Sequence, residues 1–299
     1  MKYIKPTTVT TGMLVSSTRA ENDYPAWSNV TTYTNTDHAI STTTHRIYKS
    51  AQNGNLNHDP TTDDGTWWTD VGPTNRWAMF DGVVGTITSQ ATPLTVVIDT
   101  GRINELALLD LAGSSVVVSM VDAPGGSTVF NHTYPLPDKA LVEDWFDYFF
   151  EPIIPTTTLI VPNLPVYSTA RLTVSVVAPT TSECGTMVIG VPVEIGSTRA
   201  GATVGIIDYS RKETDVFGVT SVVERSFVKR YDVSVTVDNR RLDYVTERLA
   251  EVRATPCVWV GDNNGKYESL IAYGFYKSWD VEIAYPNISE ARISIEGII

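Results

Sequence analysis

A mainly β protein with two β-sandwich domains is the fold class this sequence predicts, and three observations lead there. Val, Ile, Thr, Tyr and Trp, which suit a pleated and half-buried surface, recur along all 299 residues. Apolar and polar residues alternate in short runs separated by Gly, Pro, Asn and Asp. Sustained helical periodicity appears in one stretch only. The length exceeds what one core usually serves, and 42% hydrophobic against 19% charged residues supplies apolar material for two.

Residues 1–24, rich in Thr and Ser, read as an N-terminal arm that becomes ordered against a neighbour. From Trp27 to about Asp81, many aromatics and turn signals at Asn53-Gly54 and Asp64-Gly65 predict loop-rich β structure. Clearer strand candidates follow at Leu94–Asp99, Leu106–Leu111, Ser115–Val121 and Arg171–Val177, at a spacing that suits a sandwich. Between them, Glu143 to Pro155 is nearly continuous in apolar side chains and poor in helix propensity. It reads as a tucked loop or a lip pressed on a partner. Pro, Thr, Ser and Gly in Ala178 to Gly185 mark a junction, giving domains at 25–182 and 183–299.

The second unit opens with the apolar run Thr186 to Gly196, and Glu224 to Asp238 alternates like a half-buried strand. Leu242, Val245, Leu249 and Val252 then fall three, four and three apart, which predicts a flanking helix. Asp238 or Asn239 caps its start, and Pro256 stops it. Four strand candidates follow, beginning at Cys257, Ser269, Trp279 and Glu290.

The chemistry these residues disfavour is as informative. A net charge of -12 with no Lys or Arg run gives no grip on phosphates, so no nucleic-acid partner is expected. No stretch approaches the roughly 20 apolar residues of a membrane span, and the first residues lack a signal-like apolar run, so a soluble, cytosol-made chain is expected. Cys184 and Cys257 form no CxxC pair and read as buried thiols. The four histidines show no metal-ligand spacing, and the acids around His58-Asp59 and Asp63-Asp64 supply only a fragment of a calcium site. No GxSxG elbow occurs. Neither catalytic residues, metal nor cofactor is expected. The acids Glu143, Asp144, Asp147 and Glu151 are the one glycosidase-like alternative.

Aromatics dominate the N-terminal third. Tyr24, Trp27, Tyr33, Tyr48, Trp67, Trp68 and Trp77 are interleaved with Asn53, Asn55, Asn57, Asp63 and Asp64. Either flat rings stack on sugars while the amides and acids bind hydroxyls, or the rings build the core of a small sandwich. The candidate glycan-binding residues are Trp27, Tyr33, Tyr48, Trp67 and Trp68. Trp67 and Trp68 are the best candidates for exposure, because consecutive strand residues cannot both point inward.

Two stretches resemble known families. Tyr24 to Pro60, followed by Trp67-Trp68, resembles a small carbohydrate-binding module that recurs in phage tail proteins: a Trp, a Tyr, an Asp before a strand, a Tyr-Lys-Ser strand and an Asn-Gly turn. It departs at Thr36-Asp37, where Gly-Asp is usual. Gly72 to Gly82 and the strands after it resemble a tail-associated, jelly-roll-like sandwich. Residues 186–299, through YDVSVTV, the helix, TPCVWVGD and ISIEGI, resemble the C-terminal region of siphophage minor tail or distal-tail proteins. That resemblance implies a tail-tube-like sandwich with one flanking α-helix, forming a homo-oligomeric ring at the tail tip or baseplate and carrying no catalytic residues. The implied partners are tail tube, hub and fibre proteins, with host surface polysaccharide a further candidate. The expectation is a virion structural subunit assembled in the host cytoplasm. Host-glycan binding is the first alternative and glycan degradation the second.

Overall fold

The computed structural model describes residues 1–136, 143–152, 154–214, 216–262, 267–283 and 285–298, and these are mainly β. Strands Leu94–Asp99, Ser115–Val121 and Arg171–Val177 alternate buried and half-buried positions, as their sequences predict. With Thr128–Pro135 and Leu14–Ser17 they form a five-stranded antiparallel sheet. Its buried positions face a four-stranded sheet of Leu159–Val161, Glu105–Ala112, Thr181–Gly190 and Thr88–Ala91. Leu94, Val96, Ile98, Val118, Leu106 and Ile189 are central to this sandwich core.

The four-stranded sheet is buried on both faces. Leu106, Leu108 and Ile189 enter the sandwich core, whereas Ala107, Leu109 and Val188 pack outward against Ile4, Val258, Val260 and Tyr273. Two-sided burial explains why these strands read as continuous apolar runs instead of alternating.

The outer partner is an eight-stranded antiparallel sheet in the order Pro192–Glu194, Lys2–Ile4, Cys257–Val260, Ile271–Glu282, Ile288–Gly297, Phe227–Asp238 and Ser197–Thr198, with Thr203–Asp208 also on Phe227–Asp238. Its two terminal strands are one stretch of chain. Residues 192–194 pair with Lys2–Ile4, and 197–198 pair with Val235 and Thr236, so 192–198 joins both edges and closes a barrel. Gly196 sits at the crossing, where a Cβ would collide with the Thr236 carbonyl. Tyr3, Tyr231, Val233, Trp259 and Ile293 fill the interior, joined by Val245 and Leu249 of the helix Leu242–Glu251 and by Val252 just after it. Asp238 accepts a hydrogen bond from the Arg240 amide just before that helix, and Arg240 holds the Asp238 carboxyl down at about 2.

Several expectations change. Residues 1–24 are not a separate arm. Met1 and Tyr3 are barrel interior, Lys2–Ile4 is a barrel strand, and Leu14–Ser17 is an edge strand of the sandwich. A boundary at 182 cuts Thr181–Gly190, an inner strand of the sandwich; the crossing into the barrel comes at Val191. The candidates starting at Ser269 and Trp279 are one twelve-residue strand, Ile271–Glu282. A register shift between Tyr276 and Ser278 moves the inward set from even to odd positions, which broke the alternation in two. Glu143 to Pro155 includes a short helix, Trp145–Phe150, because Asp144 caps it by accepting from the Phe146 and Asp147 amides.

Among the described residues, an ion pair ties barrel to sandwich: Lys2 Nζ donates to Glu105 Oε1. Glu105 is 2% exposed and its Oε2 has no partner among the described residues, so burial raises its pKa against the opposing pull of Lys2. Lys2→Ala strands this carboxyl and should cost about 3 kcal/mol at neutral pH. A group with a raised folded pKa is best tolerated below its unfolded pKa, and the stability it contributes is lost as pH rises through the folded one. The deficit of Lys2→Ala in urea unfolding should therefore be largest near pH 8 and shrink towards pH 4.

Candidate functional site

The aromatic unit lies in the segment between Leu14–Ser17 and the rest of the sandwich. Its sheet joins His38–Ser41, Arg46–Ser50 and Trp68–Pro73, with Ala39 opposite Tyr48 and Ser50 opposite Trp68. A two-stranded ladder, Thr32–Tyr33 with Asn55–Leu56, lies beside it. Tyr33, Ala39, Tyr48 and Trp68 form its core, with Trp27 and Trp67 packed against them, so the fold gathers all five candidate residues into one cluster.

Most of that cluster is not a free surface. Trp68 is 2% exposed, meets Tyr33 edge-to-face at 4.9 Å, and donates from Nε1 to the His58 carbonyl at 2.8 Å. The Tyr33 hydroxyl accepts from the Ser28 amide, and the Tyr48 hydroxyl meets Thr44 Oγ1. Tyr33, Tyr48 and Trp68 are therefore core, which corrects their candidacy as ligand platforms, and that of Trp68 as an exposed ring. Two adjacent indoles divide the work: Trp68 points inward, and Trp67 stays half-buried, stacked on the His58 imidazole at 3.8 Å and 11°. Trp27 is also half-buried.

Several polar residues between the rings are also engaged, although Asn55 Oδ1 is buried with no hydrogen-bond partner among the described residues. Asp63 accepts from the amides of Gly65, Trp67 and Trp68. Asp64 accepts from the Thr66 amide and hydroxyl, which hold its carboxyl below the usual range. Asn55 is buried and donates to Ser50 Oγ and the Trp67 carbonyl, while Asn53 accepts from the Asn35 amide. These groups build the loop that presents Trp67. Thr36, standing where the module-like pattern carries glycine, has φ 78, so the backbone keeps a conformation that glycine adopts without strain.

One hub has no local signature in the sequence. His45 stacks on Trp77 at 4.0 Å, meets Glu21 Oε1 through Nδ1 at 2.9 Å, and meets Thr11 Oγ1 through Nε2 at 2.9 Å. Glu21 also accepts from Thr74 Oγ1. The partners are scattered between residues 11 and 77, and the hub locks the aromatic unit onto the sandwich.

Two further surfaces stand out by their apolar exposure. The helix Trp145–Phe150 buries none of its residues, and Trp145, Phe146, Tyr148, Phe149 and Phe150 are 65–78% exposed. Two acids of the glycosidase-like cluster have local duties: Asp144 caps this helix, and Asp147 accepts from the Glu143 amide. The second surface is an arm formed by Thr203–Asp208 and the hairpin Arg211–Thr214 with Thr220–Val223, where Val216, Phe217, Val219 and Phe227 are exposed.

Cys184 and Cys257 are free and buried, and burial pushes the Cys257 thiol up to about 12. No helix among the described residues is long and apolar enough to cross a membrane, and none of their His, Cys, Asp and Glu side chains form a metal-holding group of three or more. No protein-family model and no curated protein matches the chain.

The burial difference gives a direct measurement. Trp68→Ala should cost roughly 3–5 kcal/mol, the range for a deleted core aromatic, and Trp67→Ala less than about 2 kcal/mol. Equal losses in chemical denaturation would contradict the assignment of Trp68 to core and Trp67 to surface.

Proposed function

We propose that this chain is a non-enzymatic structural subunit of a bacteriophage tail tip or baseplate, acting by geometry in a homo-oligomeric ring. The observation that carries the reading is apolar surface left uncovered on both units, the aromatic helix on the sandwich side and the arm on the barrel side. Contiguous exposed apolar surface of this kind marks a protein–protein contact. The resemblance of residues 186–299 to siphophage minor tail and distal-tail proteins supports the same reading and supplies the partner class: tail tube, hub and fibre proteins. The virion tail is then its residence and the host cytoplasm its place of assembly.

Sedimentation velocity and negative-stain images of the full chain at micromolar concentration should show a ring-shaped oligomer. A strictly monomeric chain, alone and with tail partners, would remove the reading.

A second reading, contact with host polysaccharide, is favoured by the half-buried Trp67 on its His58 platform. It predicts that Trp67→Ala abolishes retention on a host-polysaccharide column while leaving the melting temperature nearly unchanged. Absence of retention in the unaltered chain would end it.

A further inference from the structure

Of the two uncovered apolar surfaces, one is wholly acidic and the other carries unpaired cations. The segment 143–151 contains Glu143, Asp144, Asp147 and Glu151 and no Lys or Arg. Asp144 and Asp147 serve its helix, whereas the side chains of Glu143 and Glu151 are exposed without an ion-pair partner among the described residues. The arm, residues 203–229, holds four acids and four bases, and Arg211 and Lys212 pair with Glu213 and Asp208. Arg225 and Lys229, with Glu224 beside them, are exposed and lack an ion-pair partner among the described residues. At the arm's root lies a groove of about 390 Å³ lined by Tyr209, Phe275, Tyr276 and Lys277.

Neither surface is self-sufficient. The hairpin Arg211–Thr214 with Thr220–Val223 buries none of its residues and pairs with no third strand among the described residues, and a two-stranded ribbon is marginal in water by itself. The six-residue helix is held by one cap and its own ring contacts, such as Phe146 on Phe150 at 4.7 Å. Both need a cover, and the arm offers two unpaired cations to the two unpaired acids of the helix segment.

We infer that the aromatic helix of one copy docks on the arm and root groove of a second copy, with Glu143 and Glu151 meeting Arg225 and Lys229. The inference rests on the ring reading above and names the contact that makes the ring. Each aromatic side chain buries roughly 150–250 Å² when fully covered, so covering the exposed share of five rings removes on the order of 600 Å². That approaches the roughly 800 Å² per partner of a standard interface. The acidic flanks disfavour an anionic lipid surface as the alternative cover. Helix and arm are different patches, so the contact is heterologous: every open assembly still presents one free helix at one end and one free arm at the other. Repetition continues until rotation closes the ring.

The test uses the full chain and two double variants. Trp145→Ser with Phe149→Ser disables the helix, and Arg225→Glu with Lys229→Glu disables the arm; all four positions are exposed, and circular dichroism checks the fold. Each variant alone should sediment as a monomer. An equimolar mixture should give dimers and nothing larger, because one intact helix meets one intact arm. Adding Glu143→Lys and Glu151→Lys to the arm variant should restore assembly. If both variants assemble like the unaltered chain, this contact is wrong and the ring reading stands. If the mixture gives no dimer, the head-to-tail arrangement is wrong. If the unaltered chain is monomeric, the ring reading itself fails and takes this contact with it.

Discussion

The architecture depends on one sheet with no free face. Glu105–Ala112 and Thr181–Gly190 supply one core with Leu106, Leu108 and Ile189 and a second with Ala107, Leu109 and Val188. The barrel strands Lys2–Ile4 and Cys257–Val260 obey the same rule from the other side: Tyr3 and Trp259 point into the barrel, and Ile4 and Val258 meet the sandwich. Alternation along four strands thus fixes three layers of packing at once. At roughly 25 cal/mol per Å² of apolar surface, a face buried between sheets contributes several kcal/mol, so barrel and sandwich are coupled and not loosely tethered. The buried Lys2–Glu105 pair adds little attraction of its own, but a slip of this interface would leave two unpartnered charges, which penalises other registers.

Much of this was legible from period alone. Ser115–Val121 and Arg171–Val177 alternate cleanly because one face meets a core and the other does not, and the helix was marked by Val245, Leu249 and Val252 on one stripe. What failed was wherever two constraints met in one strand. Thr186 to Gly196 is a single apolar run in the sequence, yet its first half completes the sandwich and its second half starts the barrel. The Tyr276/Ser278 irregularity hid one long strand as two. The Lys2–Ile4 strand was illegible because three residues carry no period and their partners lie near the other end of the chain.

The aromatic unit teaches a related point. Sequence proximity correctly grouped Trp27, Tyr33, Tyr48, Trp67 and Trp68, but grouping does not assign direction. Direction came from hydrogen bonds: the Trp68 indole donates to a loop carbonyl, and Asp63 gathers three amides to turn the chain so that Trp67, unlike Trp68, faces outward. The acids and amides that look like sugar ligands in a list of residues are the scaffold of that turn. Conversely, the uncovered rings sit at Trp145–Phe150, where dense aromatic sequence with acidic punctuation folds into a helix too short to bury itself.

The closure of the barrel by residues 192–198 also sets a timetable. Tyr3 lies opposite Trp259, so a strand made early waits for one made late, and such highly non-local pairing is of the kind that forms slowly. The sandwich strands through Gly190 emerge earlier and can pair first, which leaves Ala107, Leu109 and Val188 facing water until the barrel arrives. While residues 191–298 are being made, a ribosome thus carries a half-finished molecule with an apolar face that is later covered by the barrel.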